Sequence, residues 1–505
     1  MNQQSPTHDL GDLPDEEFRR LLHEVADWIA DYRAGIETRR VIPEHSPGAV
    51  TERLPHAPPE AGQPLDEILR DFERVVMPGI VHWGHPAFLG YFATTTTAPG
   101  IIGEMLAAAL NVSAMTWQTS PAATELETVV LDWIRQMLGL PSEFFGVVYD
   151  TASVAILHAL AAAREESGHD VRREGLAGRE DLPALTLYAS DQAHSSLEKA
   201  AITLGIGEAN VRRIASDEAY RMDVSALRSA VEDDLRAGRR PVAVVATVGT
   251  TSATSVDPVE EIADVCREHH VWLHVDAAYG GALALLEEGR HVMRGVERAD
   301  SVVFNPHKWL FVPLDFSALY VRRPETLRRV FSLVPEYLRG DAERADEAVH
   351  NYMDYGIQLG RRFRALKAWL VIRTFGREGL AARIREACRL ARLVADRVER
   401  DERFELLAPV EMGVVCFRAR GAGVGGAEEM SPAALDGLNE GLLARINATG
   451  TTYLTHTRLH GRLALRIAVG NVLTTERHLA QVWAKVCAEL KTMLDEENAA
   501  RNMKA

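Results

Sequence analysis

The run Asn305-Pro306-His307-Lys308-Trp309-Leu310 puts one lysine directly after Ser301-Val302-Val303-Phe304, an apolar stretch with the pattern of a buried strand. Thirty-two residues before Lys308, Asp276 closes a second such stretch, Val271-Trp272-Leu273-His274-Val275. His194, in Ser190-Asp191-Gln192-Ala193-His194-Ser195-Ser196, follows a third strand candidate and precedes a helix. An amine, a carboxylate and an imidazole therefore meet at one sheet rim. That set suits pyridoxal 5'-phosphate (PLP), whose aldehyde condenses with an amine, whose ring nitrogen needs an anion beside it, and whose flat ring can be stacked by an imidazole.

Each residue also has a plainer reading. A lone strand-end lysine usually keeps its head in solvent, Asp276 can serve as its structural ion-pair partner, and His194 can be a helix-capping neighbour. Thr151-Ala152-Ser153 opens the apolar helix through Ile156, Leu157 and Leu160, where free backbone N–H groups and two hydroxyls make a phosphate cradle or an ordinary cap. Thr251, after Ala246-Thr247-Val248-Gly249-Thr250, stands at another strand end, where it can touch the ring oxygen or merely shape a turn. Other motifs carry little. Gly421 to Gly426 matches G-x-G-x-x-G, but acidic residues and Pro432 follow where a dinucleotide site needs a helix, so it reads as a surface loop. Ser196-Leu197-Glu198-Lys199 lacks the companions of an acyl-transfer motif, and His269-His270 has no metal-site context.

The elements that must position these groups follow from apolar periodicity. Strand candidates at Leu185–Ala189, Val242–Val248, Val271–Val275, Ser301–Phe304 and Ala318–Val321 alternate with helical patterns, which predicts a mainly parallel sheet with helices on both faces and ligands at its carboxyl edge. Three parts are expected: an N-terminal helical segment over 1–90, a large domain over 91–375, and a smaller α+β domain over 376–505. The last has strands at Val414–Arg418 and Leu463–Val469 and a closing helix through Leu479, Val482, Trp483, Val486 and Leu490. Residues 332–351, rich in Asp, Glu and Arg, read as a mobile loop.

The 505 residues, 47% of them hydrophobic, can bury a sizeable core. With 56 basic against 72 acidic residues the net charge is −16, which disfavours nucleic acid or an anionic membrane as partner. Four scattered cysteines without a C-x-x-C pair give no cysteine-based metal site and suit a reducing compartment. The polar start and the lack of a run near the roughly 20 apolar residues of a membrane span point to the cytoplasm.

Taken together, the motifs closely resemble the PLP-dependent group II amino acid decarboxylases, specifically the aromatic-L-amino-acid decarboxylases, over most of residues 65 to 375. The matching blocks are His85-Pro86 with Tyr91-Phe92, Trp117 with Ser120 through Glu127, the His194 block, Thr247 to Thr251, His274 to Gly280, Asn305 to Leu310, and Leu359 to Arg364. The resemblance implies the type I PLP fold (aspartate aminotransferase-like), with a seven-stranded sheet and a homodimer whose active sites lie at the subunit interface. In it Lys308 condenses with the cofactor, His194 stacks on the ring, and Asp276 holds the ring nitrogen. Thr151, Ala152, Ser153, Thr251, Ala278, Asn305 and His307 complete the cofactor site. Tyr337, twenty-nine residues past the lysine, is the loop acid that protonates the substrate Cα after carbon dioxide leaves. Trp83, Tyr91, Phe92, Ala93, Thr94 and Gly360 line an aromatic substrate pocket, with Ser113 and Met115 contributed by the neighbouring subunit.

The chain departs from the family in places. Asp150 stands where relatives commonly have Gly, Thr151 where they have Ser, and Ala93 where animal relatives have proline. Three other readings compete with decarboxylation. Aldehyde-forming relatives tend to lose the loop tyrosine or the stacking histidine, and both are kept here. A non-catalytic regulator would carry a basic DNA-binding module, which the N-terminal ninety residues lack. An aminotransferase would not have the Trp117–Glu127 block or the Tyr337 loop.

Overall fold

The computed structural model describes residues 12–92, 96–333, 350–421 and 430–502. Ala93, Thr94, Tyr337, nearly all of the 332–351 loop and most of the 421–426 stretch lie outside them. The first helix, α1 (Asp15–Ala34), has three acidic residues in its first turn and Arg33 in its last, matching the helix dipole at both ends. Two more helices follow, α2 (Ala98–Leu110) and α3 (Pro121–Leu138), the latter buried along one face from Ala123 to Leu138.

The central sheet has seven strands: β1 (Phe145–Tyr149), β2 (Leu185–Ser190), β3 (Val211–Ile214), β4 (Arg240–Thr247), β5 (Trp272–Asp276), β6 (Ser301–Phe304) and β7 (Ser317–Val321), in the order β1-β7-β6-β5-β4-β2-β3. The contiguous set from β3 to β6 is parallel, and β7 and β1 join antiparallel at one edge. Every residue of β2 and β5 is buried, as a parallel sheet covered on both faces requires. The five strands expected here form within a residue or two of their predicted ends. β1 and β3 are additions: Phe145-Gly146-Val147-Val148-Tyr149 pairs only with β7, and Val211-Arg212-Arg213-Ile214 has two arginines on a partly exposed edge strand, so neither stands out as an apolar run.

Helix α4 (Ala152–Glu166) follows β1 and α5 (Ser196–Thr203) follows β2. Register sets the rim. Thr247 lies opposite Asp276, and Asp276 opposite Val303, so β4, β5 and β6 end level, with Asn305 and the helical turn Pro306–Trp309 next on β6. The turns after β4 and β5 nearly touch: a Cβ on Gly280 would lie 2.5 Å from the Val248 carbonyl oxygen, and Gly249 has φ +89°, so both positions demand glycine.

A long helix, α6 (Ala365–Arg400), packs on α2 and α3 and also against the second sheet, and it breaks at Gly376, where φ is 62°. The second sheet is antiparallel, in the order β10-β11-β9-β8, from β8 (Phe404–Leu406), β9 (Val414–Ala419), β10 (Thr455–Leu459) and β11 (Arg462–Ala468). It is backed by α7 (Pro432–Ala448) and the closing α8 (Glu476–Asn502).

One buried ion pair joins three remote segments. Arg361 reaches Glu127 of α3 through Nη2–Oε1 at 2.6 Å and Nη1–Oε2 at 3.1 Å, and also donates to the carbonyls of Ala114 and Val148. Glu127 in turn accepts the Val148 N–H, and the guanidinium lies 4.9 Å from the Tyr352 ring centroid. Breaking a buried pair while leaving one charge unpaired costs about 3–5 kcal/mol. Glu127→Gln is expected to lose an amount of that order in urea unfolding, and a midpoint unchanged from wild type would show that the pair carries no such load.

Candidate active site

Lys308 follows β6 by four residues, and its Nζ lies 4.9 Å from the centroid of the Phe92 ring. The same ring has the Arg466 guanidinium 4.8 Å from its centroid and stacks on Tyr279 at 3.9 Å, which stacks in turn on Trp309 at 4.3 Å. Burial pushes the Lys308 amine below the ordinary lysine range; Asp276 opposes that shift and Arg466 adds to it. The amine is therefore more readily neutral, and more nucleophilic, than a surface lysine.

Asp276 ends β5, and its Oδ1 accepts the Ala278 N–H at 3.1 Å. No hydrogen bond to its Oδ2 occurs among the described residues, which leaves that oxygen for a ring N–H. Next to it on β4, the buried Thr247 hydroxyl has no partner among the described residues. His194 is exposed at the outer rim, yet partial desolvation comes first in holding it below the usual imidazole range; Lys308 and Lys199 push the same way, Asp276 the other. Its Nδ1 accepts the Ser196 N–H at 3.2 Å, which puts the neutral ring's proton on Nε2.

His307 and Asn305 are fixed from behind. His307 Nδ1 accepts the Phe316 N–H at 3.0 Å, and burial drives its pKa down to about 3. Asn305 Oδ1 accepts from the Ser317 hydroxyl at 2.7 Å. Thr251 is exposed in the turn after β4, beside Ser252, whose carbonyl accepts from Arg466 Nε at 3.3 Å. At the start of α4 the N–H groups of Ala152, Ser153 and Val154 have no acceptor among the described residues, and Thr151 caps the helix without a side-chain bond. These donors fit a phosphate, the Lys308 amine fits an aldehyde, and Asp276 fits a pyridine nitrogen. Asp150 alone fits poorly, since its Oδ1 already takes the Thr151 N–H at 2.6 Å.

Trp83 and Tyr91 stack with centroids 5.4 Å apart and planes 10° apart, both with exposed faces. Tyr91 has a left-handed backbone, φ 52°, and its carbonyl accepts from Arg466 Nη1 at 2.5 Å. The structure adds two residues that sequence reasoning missed. Tyr453 hydrogen-bonds through its hydroxyl to that of Tyr91 at 3.1 Å. Arg466, on β11, is a buried cation whose Nη2 has no partner among the described residues. Its signal was an arginine inside Leu463-Ala464-Leu465-Arg466-Ile467-Ala468, a strand otherwise entirely apolar here.

Ser113 and Met115 hydrogen-bond to residues of the 353–361 segment, which includes Gly360. Ser113 Oγ accepts the Arg361 N–H at 3.3 Å, and the Met115 carbonyl accepts the Met353 N–H at 3.1 Å. No hydrogen bond, ion pair or ring contact among the described residues joins the three to Lys308. Among those residues no group of His, Cys, Asp and Glu side chains could hold a metal ion, and no helix is long and apolar enough to cross a membrane.

Lowering of the Lys308 pKa has a sign that can be checked. Between the lowered folded value and the ordinary lysine value, the unfolded chain binds a proton that the folded chain does not, so stability rises with pH across that window. Urea midpoints of cofactor-free protein are expected to climb with pH over that window, and Lys308→Met is expected to flatten the climb. Equal slopes in the two proteins would mean an amine that titrates like a surface lysine.

The pyridoxal-dependent decarboxylase conserved domain matches residues 47–420. An aromatic-L-amino-acid decarboxylase of Catharanthus roseus is 38% identical over 487 residues, 95% of each chain. A phenylacetaldehyde synthase of a Rosa hybrid cultivar is 40% identical over 480 residues, 93% of each chain. Among solved structures, Oryza sativa TDC with PLP and tryptamine superposes with a TM-score of 0.90 at 38% identity, covering 96% of this chain and 99% of the other.

Proposed function

The chain belongs to the pyridoxal-dependent decarboxylases, and from that membership we propose that its rim performs PLP-dependent decarboxylation of an aromatic L-amino acid to the corresponding amine and carbon dioxide. The observation that carries this is the Lys308 amine, its pKa lowered by burial, on the same rim as Asp276 and beneath the Phe92 ring. When bound, PLP supplies an aldehyde that condenses with amines and a ring that takes up the electrons of the breaking bond. The residues do the rest. Lys308 would hold the cofactor aldehyde while no substrate is bound, through an amine whose pKa burial lowers. Asp276 keeps a proton on the ring nitrogen, and the free N–H groups of Ala152 and Ser153 hold the phosphate, with Thr251, Ala278, Asn305 and His307 around them. His194, neutral with its proton on Nε2, stacks on the ring and keeps water from one face.

A substrate carboxylate finds a counter-charge in the unpaired Nη2 of Arg466, and orienting that group selects which bond breaks. The flat Trp83 and Tyr91 faces favour an aromatic side chain over a short acidic one. Tyr337, with His194, is assigned the proton delivery to Cα, and Ala93 and Thr94 remain substrate-pocket candidates from the sequence alone. Lys308→Ala is expected to abolish amine release from tryptophan, tyrosine, dihydroxyphenylalanine and phenylalanine, and retained turnover would contradict the assignment. The aldehyde-forming relative makes the product informative. Wild type should give amine, and Tyr337→Phe should shift the product toward aldehyde with peroxide.

The reading extends to a cytoplasmic homodimer, with parts divided near residues 90 and 375. Ile102, Leu106 and Leu110 line one face of α2 and are 53%, 47% and 59% exposed, an apolar stripe that a second copy would cover. Ser113 and Met115, which make no hydrogen bond, ion pair or ring contact with Lys308 among the described residues, are assigned to the partner's pocket. Leu106→Glu with Leu110→Glu is expected to halve the solution mass and remove activity. An active monomer would separate catalysis from assembly.

A further inference from the structure

Asp150 is the one residue at the proposed phosphate cradle whose chemistry opposes a phosphate. Its Oδ1 lies 2.6 Å from the Thr151 nitrogen and 3.4 Å from the Thr151 hydroxyl, so it already takes the donors at the threshold of α4. The first turn of α4 has no acidic residue of its own, and Thr151 makes no side-chain cap, so the Asp150 carboxylate is the anion that meets this helix start. Asp150 has no ion-pair partner among the described residues. A phosphate ester carrying about −1.5 to −2 charges near pH 7 would meet a like charge and an occupied donor.

We propose that Asp150 is a resident occupant of the phosphate cradle, competing with the cofactor phosphate for the Thr151 donors and so setting how weakly this chain retains PLP. The proposal rests on the reading of the α4 start as the phosphate site. It makes cofactor retention adjustable at one position, because the aldehyde and ring contacts at Lys308 and Asp276 are untouched by a change at 150. It also implies that occupancy follows the supply of cofactor more closely than in a cradle with no resident carboxylate.

The test is the dissociation constants of PLP and of pyridoxal, which lacks the phosphate, for the full chain stripped of cofactor, in wild type, Asp150→Gly and Asp150→Asn. Asn keeps the shape without the charge, which guards against a folding artefact in the Gly variant. Both variants are expected to bind PLP about tenfold more tightly, the scale of removing one unscreened like charge at a partly buried site, with pyridoxal unchanged. Three results would overturn the proposal: PLP affinity unchanged or weaker in both variants, a gain confined to Gly, or an equal gain for pyridoxal. If instead no variant binds PLP with a Lys308 chromophore, the reading of the site itself is wrong.

Discussion

The site is built around keeping an amine in a place that disfavours its charge. Lys308 sits under an aromatic wall of Phe92, Tyr279 and Trp309, with a second cation, Arg466, against the same ring. Two cations at one apolar ring would repel in a weakly screened enclosure. Desolvation lowers both, and the Asp276 carboxylate partly offsets it at Lys308. Phe92 reduces the penalty by offering its ring face to each cation. Burial thus lowers the pKa of the lysine below its ordinary range, while Arg466 starts from a far higher intrinsic pKa. In the function proposed above, one group serves as the nucleophile and the other anchors a carboxylate.

That arrangement explains why the second sheet belongs to the active site. Arg466 comes from β11, yet its Nε and Nη1 hold the carbonyls of Ser252, beyond β4, and Tyr91. The Tyr91 backbone is left-handed at φ 52°, a conformation that costs a non-glycine residue about 1 kcal/mol or more. The arginine contact to its carbonyl and the hydroxyl contact to Tyr453 stabilise that turn and keep the Tyr91 ring flat against Trp83. Arg466 therefore ties the Tyr91 turn to the second sheet.

Much of this was legible in sequence because buried parallel strands announce themselves as apolar runs, and the reactive residues fall just past their ends. Lys308, Asp276 and His194 were found that way, and register then placed the two strand ends side by side. β1 and β3 were not legible, since an edge strand has one neighbour and tolerates Gly146 or Arg212 and Arg213. Arg466 and Tyr453 were missed for a different reason: they lie about 160 and 145 residues from Lys308 and reach the rim only through packing between the two sheets. No local pattern encodes such a meeting, although a lone arginine in an apolar strand is itself a sign of a buried partner.

The Arg361–Glu127 pair bears on why Ser113, Met115 and Gly360 travel together. Arg361 is bonded to the Ala114 carbonyl, to Glu127 of α3 and to the Val148 carbonyl of β1, so the 113–115 segment, residue 360 and the strand leading into the phosphate cradle share one rigid junction. A Cβ added at Gly360 would meet no atom within 4 Å, so the space there is not needed for the fold of this chain. The same junction continues through Val148 and Tyr149 to Asp150, just before α4.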